Sequence, residues 1–288
     1  MILVTGATGN VGRPLVRELA ASGARVRVLV RDDARAAAVL PAGVERVAGD
    51  LGDPASLPAA FDGARRVFLL NAGIGTQYTH HALLAARAAG TQHLVLLSSA
   101  HAALDPPPAM ARRHREREDA VRGSGIAATV LRPGGFMSNA LDWAPAVRAG
   151  AAVLDPSGPG RYAPIDPDDV AAVAALALTR DGHEGRAYTL TGEEALTVAE
   201  QVAVLAAALG RPIAVREAAT PHEAVRARYP HGAPPQLAEA ITQWFTLMRA
   251  DTTGLRTDTA RQLLGRAPRS LADWCARHLD AFRPAAAP

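Results

Sequence analysis

The chain has 288 residues, 49% of them hydrophobic and 4% aromatic, which is enough for one large domain, with or without a lobe, around an alanine-, valine- and leucine-rich core. The formal net charge is only +3, and acidic residues interrupt the most cationic run, ARRHRERED at 111–119, so we expect a solvated helix face there and no nucleic-acid binding. The single cysteine excludes an internal disulfide, and no apolar run reaches the roughly 18 residues that span a membrane, so we expect a cytoplasmic protein with no membrane contact.

Short apolar runs alternate with amphipathic stretches over the first 130 residues. The apolar runs predict strands at 2–5, 25–30, 44–48, 66–70, 93–98 and 127–131. Helices are predicted between them, over 13–22, 54–61, 77–89 and 109–122. Continuous apolar strands separated by helices are typical of a parallel sheet covered on both faces, so the predicted fold is α/β with a doubly wound parallel sheet.

The second half of the chain has a less regular pattern. A helix over 166–179 begins with carboxylates, which suit its positive N-terminus. A strand at 187–192 and a helix over 197–210 follow it. The pattern predicts three last helices, over 236–249, 257–264 and 270–282, after a proline-rich loop at 229–236.

The chain opens with a strand, a glycine-rich turn and a helix, VTGATGNVG at 4–12. We expect Gly6 to turn the chain, Gly9 to let a pyrophosphate approach the backbone, and Gly12 to let the helix pack against the strand. The helix N-terminus offers N–H groups and a partial positive charge to phosphates, and Thr8 and Asn10 add a hydroxyl and an amide. This context predicts a dinucleotide site.

The end of the second strand indicates which dinucleotide binds. An acidic residue there is typical of NAD-binding proteins, because its carboxylate accepts a hydrogen bond from the ribose 2′-OH. Here the strand ends in Arg31, a cation that suits the 2′-phosphate of NADP(H), and Arg13 is a second candidate. Asp32 follows Arg31 and leaves NAD open as the less favoured cofactor.

Polar residues also follow the third to fifth strands. Asp50 is predicted to meet the adenine edge, although a helix-capping role is an alternative. The segment Asn71, Ala72 and Gly73 is expected along the middle of the cofactor. Ser98 and Ser99 end the fifth strand, where one hydroxyl is expected near the substrate and the other is expected to cap or to bond locally.

These motifs resemble the NmrA-like group of atypical short-chain dehydrogenases/reductases. The matching segments are VTGATGNVG, VLVRD, GDLGDPASL, HLVLLSSA, VLRPGGFMSN, IDPDDVA and the closing LLGRAPRSLADWCARHLDAF. The resemblance implies an NAD(P)-binding Rossmann domain over 1–150 and a small C-terminal α/β substrate lobe over 151–288, mostly helical and interleaved with the sheet. The cofactor contacts that it implies are Gly6, Thr8, Gly9, Asn10, Val11, Gly12, Arg31, Asp50, Leu51, Asn71, Ala72, Gly73, Ser98, Pro133 and Phe136.

The sequence lacks the Tyr-x-x-x-Lys pair of familiar short-chain reductases and contains no lysine. By the resemblance, the helix position that carries a lysine in isoflavone-reductase-like proteins falls on His114, as in the quinone-reductase-like members. His114 is therefore a candidate to bond the nicotinamide ribose or to donate a proton near neutral pH, and a surface histidine is the alternative. Ser99 is the second catalytic candidate.

An apolar, flat-substrate pocket is predicted from the scarce large side chains of the second half, with core packing as the alternative for each of them. The candidates are Phe136, Met137, Trp143, Tyr162 and Trp244. Cys275 is expected to be a buried structural thiol. No metal site is expected from the adjacent histidines at 80 and 81, because neighbouring residues point in different directions on a helix.

The sequence thus predicts an NADP(H)-dependent oxidoreductase that transfers hydride to a quinone, an enone or a ketone. A quinone needs least help from the protein, because aromaticity stabilises its reduced oxygens. Two alternatives stay open: a non-catalytic NADP(H)-sensing regulator, which the missing Tyr/Lys pair also fits, and a tailoring enzyme of secondary metabolism. A small apolar or aromatic substrate is the expected partner, and a homodimer is possible.

Overall fold

The computed structural model describes residues 1–70, 75–229, 231–252 and 254–284, apart from the side chain of Arg228. Its strands are β1 Ile2–Thr5, β2 Val26–Val30, β3 Glu45–Ala48, β4 Arg66–Leu69, β5 His93–Leu97, β6 Ala127–Pro133, β7 Val153–Asp155, β8 Ala187–Leu190 and β9 Val215–Glu217. Seven of them form one parallel sheet in the order β3-β2-β1-β4-β5-β6-β8, and β7 and β9 form a separate parallel pair. The predicted doubly wound α/β fold is confirmed.

The predicted helices are confirmed with ends within two residues, whereas the helices at Asp33–Val39, Ala144–Arg148 and Pro221–Arg228 were not predicted. Short 3-10 turns at Pro54–Ser56 and Leu279–Phe282 replace part of two predicted helices, and others lie at Ala100–Ala103 and Met137–Trp143. The α-helices are α1 Gly12–Ala21, α2 Asp33–Val39, α3 Leu57–Phe61, α4 Gln77–Ala88, α5 Ala109–Arg122, α6 Ala144–Arg148, α7 Pro167–Thr179, α8 Val198–Leu209, α9 Pro221–Arg228, α10 Pro235–Ala250, α11 Thr259–Leu264 and α12 Leu271–His278.

The chain divides into two compact units that are not continuous in sequence. The first comprises Met1–Pro107, Ala111–Pro133 and Pro167–Leu190, and contains the whole seven-stranded sheet. The second comprises Pro108–Met110, Gly134–Asp166 and the chain from Thr191 onward. The functional division predicted at residue 150, into a cofactor domain and a substrate lobe, stays a prediction.

The first unit has helices on both faces of its sheet. On one face α1 packs against α7, and on the other α3, α4 and α5 bury apolar side chains such as Phe61, Leu83 and Val121. Between them β1, β4 and β5 are almost completely buried. Polar groups that end these strands therefore have one place to reach solvent, the carboxyl edge of the sheet, where ligands bind to open α/β sheets.

The second unit has its own core, centred on the buried Trp274. Helices α8 and α12 and the segment from Met137 to Val147 contribute most of this core. Both helices begin with a capping box, Thr197 with Glu200 on α8 and Ser270 with Asp273 on α12, which satisfies the free N–H groups of each first turn.

Candidate cofactor and active site

The glycine-rich turn packs α1 tightly against the end of β1. Gly6 has a φ of +65°, and its carbonyl accepts a hydrogen bond of 3.0 Å from the N–H of Gly9. A Cβ on Gly12 would lie 2.1 Å from the Gly6 oxygen and 2.8 Å from the Ala7 Cα, both backbone atoms. Position 12 therefore accepts only glycine without moving the turn, as the sequence predicts for a close approach of helix and strand.

The N-terminus of α1 presents unpaired donors. No side chain caps the helix at Val11, and its first turn contains no acidic residue. Within the described part of the chain, the N–H groups of Val11 and Gly12 donate no hydrogen bond. Thr8 is half-buried and Asn10 is exposed beside them. Free N–H groups at the positive end of a helix fit a diphosphate.

Two charged residues, Arg31 and Asp32, follow β2 and differ in their contacts. Asp32 caps α2, because its Oδ1 accepts a hydrogen bond of 2.9 Å from the N–H of Arg35. The Arg31 side chain is 81% exposed, and its Nε lies 4.0 Å from Asp50 Oδ2. One oxygen of the carboxylate that could accept a ribose 2′-OH is thus used in the helix cap, and the guanidinium that suits a phosphate is exposed.

Asp50 closes the turn after β3 and does not cap a helix, so that alternative is wrong. Its Oδ1 accepts a hydrogen bond of 2.7 Å from the N–H of Gly52. The cap of the following 3-10 turn is Asp53, whose carboxylate accepts from the N–H of Ala55. Leu51 packs into the core cluster. Asn71, Ala72 and Gly73 lie outside the described residues.

A buried carboxylate connects the ends of β5 and β6 to helix α5. Glu118 is 0% exposed and accepts hydrogen bonds from Ser98 Oγ at 2.5 Å, from Arg132 Nε and Nη2 at 2.9 and 2.5 Å, and from Arg122 Nη2 at 2.7 Å. Burial alone would raise the pKa of Glu118, but the bonds from Arg132 and Ser98 lower it below its usual value. Glu118 is therefore ionised at neutral pH.

The two serines at the end of β5 differ in the hydrogen bonds that their hydroxyl groups make. The hydroxyl of Ser98 is bound to Glu118, which is the local bond that the sequence predicts for one of the pair. The half-buried Ser99 makes no side-chain hydrogen bond to a described residue. Ser99 is thus the serine whose hydroxyl is available to a ligand, and its catalytic role stays a prediction.

His114 lies one turn before Glu118 on α5 and is largely buried. Burial and the charge of Arg117 lower the pKa of His114 to about 4. Its Nδ1 is buried and bonds to no described residue. At neutral pH the imidazole is therefore uncharged, which favours a hydrogen-bonding role over the predicted donation of a proton by an imidazolium.

Helix α5 is only in part the solvated face that its charged sequence predicts. Arg112, Arg113 and Glu116 are exposed, but Arg117 is 5% exposed and Glu118 is completely buried. The expectation fails because Arg132 pairs with Glu118 and Ser98 donates a hydrogen bond to it. Both partners lie at the ends of neighbouring strands, so helical periodicity of charge does not reveal them.

The predicted substrate side chains of the second unit have mixed surroundings. Met137 is buried in the core cluster, and Trp143 and Tyr162 pack against it, so core packing accounts for these three. Tyr162 donates a hydrogen bond of 3.1 Å to Gln201 Oε1, and burial raises its pKa to about 12. Phe136 and Trp244 are half-exposed. Pro133 is buried at the end of β6 in the first unit.

A small cavity of about 250 Å³ in the second unit borders Met137, Leu196 and Arg269. Met137 is the only predicted substrate residue in its lining among the described residues. Cys275 is buried, and burial raises its pKa to about 11, which fits a structural thiol.

Neither a metal cluster nor a membrane helix is found in the part of the chain that the structure describes. No three histidine, cysteine, aspartate or glutamate side chains there are grouped to bind a metal ion. No helix over these residues has the length and apolar character to cross a bilayer.

A family model described as NAD(P)H-binding matches residues 6–181, which include the glycine turn, Arg31 and all of α5. The chain belongs to this NAD(P)H-binding family. The resemblance to NmrA-like short-chain dehydrogenases/reductases is confirmed with it.

Two similar proteins are reductases by name, and one similar solved structure is that of an oxidoreductase. The (4-alkanoyl-5-oxo-2,5-dihydrofuran-3-yl)methyl phosphate reductase of Streptomyces griseus is 44% identical over 99% of this chain and 100% of that protein. The NAD(P)H azoreductase of Xenophilus azovorans is 39% identical over 98% and 99%. The NADPH-dependent quinone oxidoreductase of Escherichia coli, complexed with NADPH, superposes with a TM-score of 0.84 at 28% identity, covering 97% of this chain and 100% of that one.

The sequence analysis did not predict that charged side chains of α5 bind the loops that follow β4 and β5. Arg117 Nη2 donates to the carbonyl of Gly75 at 3.3 Å, and Arg115 donates to the carbonyls of Ala102 and Leu104 at 2.6 and 3.0 Å. The sequence offered one signal: Arg117 and Glu118 lie three and four residues after His114, close to the helix face expected to meet the cofactor.

Proposed function

We propose that this protein is an NADPH-dependent reductase of quinones and other conjugated carbonyl compounds. The observation that carries the proposal is the N-terminus of α1, where Val11 and Gly12 present N–H groups without partners among the described residues. A glycine turn leads into it, and the membership of the NAD(P)H-binding family supports the same assignment. NADPH, when bound, supplies a hydride from its nicotinamide ring.

Cofactor selection is assigned to the end of β2. Arg31 is exposed and would bind the 2′-phosphate of NADPH, as an ionic hydrogen bond to a phosphate is stronger than one to a hydroxyl. Asp32 caps α2 through Oδ1, which leaves only its Oδ2 to accept the 2′-OH of NADH. NADPH is therefore the preferred cofactor, and NADH is the weaker alternative.

The chain's own side chains favour acceptors that need no strong acid. It contains no lysine, and Tyr162 has a pKa raised to about 12, so it is not an activated proton donor. A reduced quinone or the enolate of a reduced enone requires less protonation in the transition state than the alkoxide of a simple ketone. Substrate positioning and exclusion of water then provide most of the catalysis.

His114 and Ser99 are the proposed ligands of the reacting group. His114 is neutral, so it would orient the cofactor ribose or an acceptor oxygen by a hydrogen bond and would not carry a positive charge into the site. Ser99 offers a hydroxyl without a partner among the described residues. Both lie in the first unit, at or beside the carboxyl edge of the sheet that carries the glycine turn.

The proposed acceptors follow from these limits and from the names of the relatives. A quinone, an azo compound and an oxo-dihydrofuran with an alkanoyl group are all electron-poor conjugated systems. We infer that an oxo-dihydrofuran of this kind is a candidate substrate of this chain. The regulator and the non-redox tailoring enzyme remain alternatives that no additional observation favours.

The experiment is a steady-state assay of NADPH oxidation with a panel of quinones, azo compounds and acyl furanones. We expect turnover with at least one of them, a preference for NADPH over NADH, and a loss of kcat/KM in His114→Ala and Ser99→Ala. Tight NADPH binding with no turnover on any acceptor would favour the regulator instead.

A further inference from the structure

The segment that follows β5 contains Ser99, which stands at the N-cap position of the 3-10 turn Ala100–Ala103. A serine at the start of a helical turn commonly caps it with its hydroxyl, but Ser99 makes no such bond, and no described residue binds its Oγ. Its backbone carbonyl accepts a hydrogen bond of 3.0 Å from the N–H of Ala102. The turn is therefore formed without the Ser99 hydroxyl, which is left for another partner.

Arg115 of α5 holds the far end of this segment. Its Nε donates a hydrogen bond to the carbonyl of Ala102 at 2.6 Å, and its Nη2 donates to the carbonyl of Leu104 at 3.0 Å. Both carbonyls lie at the C-terminal end of the 3-10 turn, where a helical turn leaves carbonyl groups without backbone partners. Because a planar guanidinium holds two acceptors at once, Arg115 fixes both the position and the direction of the turn.

The near end of the segment is bound to the same helix. The hydroxyl of Ser98, the residue before Ser99, donates to Glu118 Oε1 at 2.5 Å. Arg115 and Glu118 are three positions apart, so they are neighbours on the surface of α5. Ser99 thus lies between two tethers from one helix. The same helix carries His114, the other proposed ligand of the reacting group.

The tethered segment lies at the edge of the sheet where ligands are expected. Strand β5 is the neighbour of β4, and β4 pairs with β1, which leads into the glycine turn. All of these elements belong to the first unit. Parallel strands end at one edge, so the segment after β5 and the glycine turn after β1 share that edge. Arg115 forms no ion pair with a described carboxylate, so its guanidinium serves the backbone of this segment.

We propose that Arg115 is a positioning residue of the reductase, which fixes the turn after β5 so that the Ser99 hydroxyl meets the oxygen of the acceptor. The proposal rests on the proposed function, because that function gives Ser99 its role. A displacement of about 1 Å at a reacting group lowers a rate by up to about a hundredfold, so a loose turn would be costly. Arg115 acts through Ser99 and supplies no proton itself.

The test is the assay of NADPH oxidation, with the acceptor that wild type reduces fastest and with kcat counted per NADPH-binding site. We expect Arg115→Gln to lower kcat about tenfold, the effect of losing one charged hydrogen bond, and to leave the Kd of NADPH within about twofold of wild type. Arg115→Lys keeps the charge but does not hold two carbonyls in a fixed fork, so its kcat should lie between those of wild type and Arg115→Gln.

Arg112→Gln is the matched control. Arg112 is an exposed arginine of the same helix, so this substitution removes the same charge and no hydrogen bond to the turn. We expect its kcat to stay within about twofold of wild type. Equal kcat in Arg115→Gln and Arg112→Gln would overturn the proposal. A loss of NADPH affinity in Arg115→Gln by the same factor as the loss of kcat would also overturn it, because Arg115 would then serve the cofactor.

A double substitution tests whether Arg115 acts through Ser99. Adding Arg115→Gln to Ser99→Ala should lower kcat no further, because a hydroxyl that is absent cannot be misplaced. A merely structural role of Arg115 would lower kcat by the same factor in both backgrounds, and that result would contradict the proposal.

Hydrogen exchange separates this proposal from the proposed function, because it needs no turnover. The amide groups over 100–104 should exchange about tenfold faster in Arg115→Gln than in wild type, and at the wild-type rate in Arg112→Gln. Faster exchange in Arg115→Gln supports the tether even if wild type reduces no acceptor, a result that would refute the proposed function. Unchanged exchange in Arg115→Gln would overturn this proposal even if wild type is an active reductase.

Discussion

Replacing Glu118 by glutamine should destabilise the protein strongly. Glutamine has the same shape, but its amide group brings donors towards Ser98, Arg122 and Arg132, which all donate to Glu118. Breaking a buried ion pair costs about 3 to 5 kcal/mol. The Arg132 side chain is 16% exposed and glutamine retains one acceptor oxygen, so both features reduce the cost. We therefore expect Glu118→Gln to lower the free energy of unfolding by about 3 kcal/mol, the lower end of that range.

The assay is urea unfolding of wild type and Glu118→Gln, with Asp119→Asn as the matched control. Asp119 is the next residue of the same helix and pairs with Arg122 at 3.0 Å, but its side chain is 63% exposed. An exposed ion pair of this kind contributes little to stability, so the free energy of unfolding of Asp119→Asn should lie within about 0.5 kcal/mol of that of wild type. If Glu118→Gln also lies within that range, the buried network does not stabilise the fold as argued.

The pH dependence gives an independent check. The pKa of Glu118 is lowered in the folded protein, so its contribution is present above the ordinary value of 4.5 and is lost as the pH falls through the lowered value. The difference in stability between wild type and Glu118→Gln should therefore be constant at neutral pH and shrink in acid. A difference that grows in acid would refute the assignment of Glu118 as ionised.

Three further predictions concern the cofactor site and the amino end of β5. Arg31→Asp should weaken NADPH binding about 10-fold to 100-fold in calorimetry and leave NADH nearly unchanged; equal losses would refute the role of Arg31. Gly12→Ala should lower the melting temperature, because its Cβ would lie 2.1 Å from the carbonyl oxygen of Gly6. In Gly9→Ala the Cβ would lie 3.2 Å from the same oxygen, so this substitution should mainly weaken NADPH binding. His93 is buried with its Nε2 2.9 Å from Thr129 Oγ1, and burial lowers its pKa. The free energy of unfolding should therefore fall as the pH drops below about 6.5, and His93→Gln should reduce that pH dependence. The same pH dependence of urea unfolding in wild type and His93→Gln would contradict this prediction.

The sheet and its helices could be predicted from the sequence because their signals are local. Apolar runs mark each strand from β1 to β6, and glycine and helical periodicity mark the helices between them. Strands β7 and β9 escaped prediction, since each has three residues and its partner lies about 60 residues away, so neither forms a pattern on its own. Helix α2 was missed although Asp32 is a suitable cap, because the segment was interpreted through its cofactor chemistry alone.

The candidate site could be predicted in part for the same reason. The glycine turn and Arg31 are contiguous with the strands that position them, so their place at the sheet edge follows from the topology. The network of Glu118 could not be predicted, because Ser98 and Arg132 lie 20 and 14 residues from it in sequence. Periodicity on α5 shows charged residues on every side, and only the packing against β5 and β6 determines which of them are buried.

The central claim is that the N-terminus of α1 binds the diphosphate of a nicotinamide cofactor. Isothermal titration of the purified protein with NADPH at moderate ionic strength tests it most directly. We predict saturable binding of NADPH that is tighter than that of NADH and is lost in Gly9→Ala. Absence of binding by either cofactor would contradict the account.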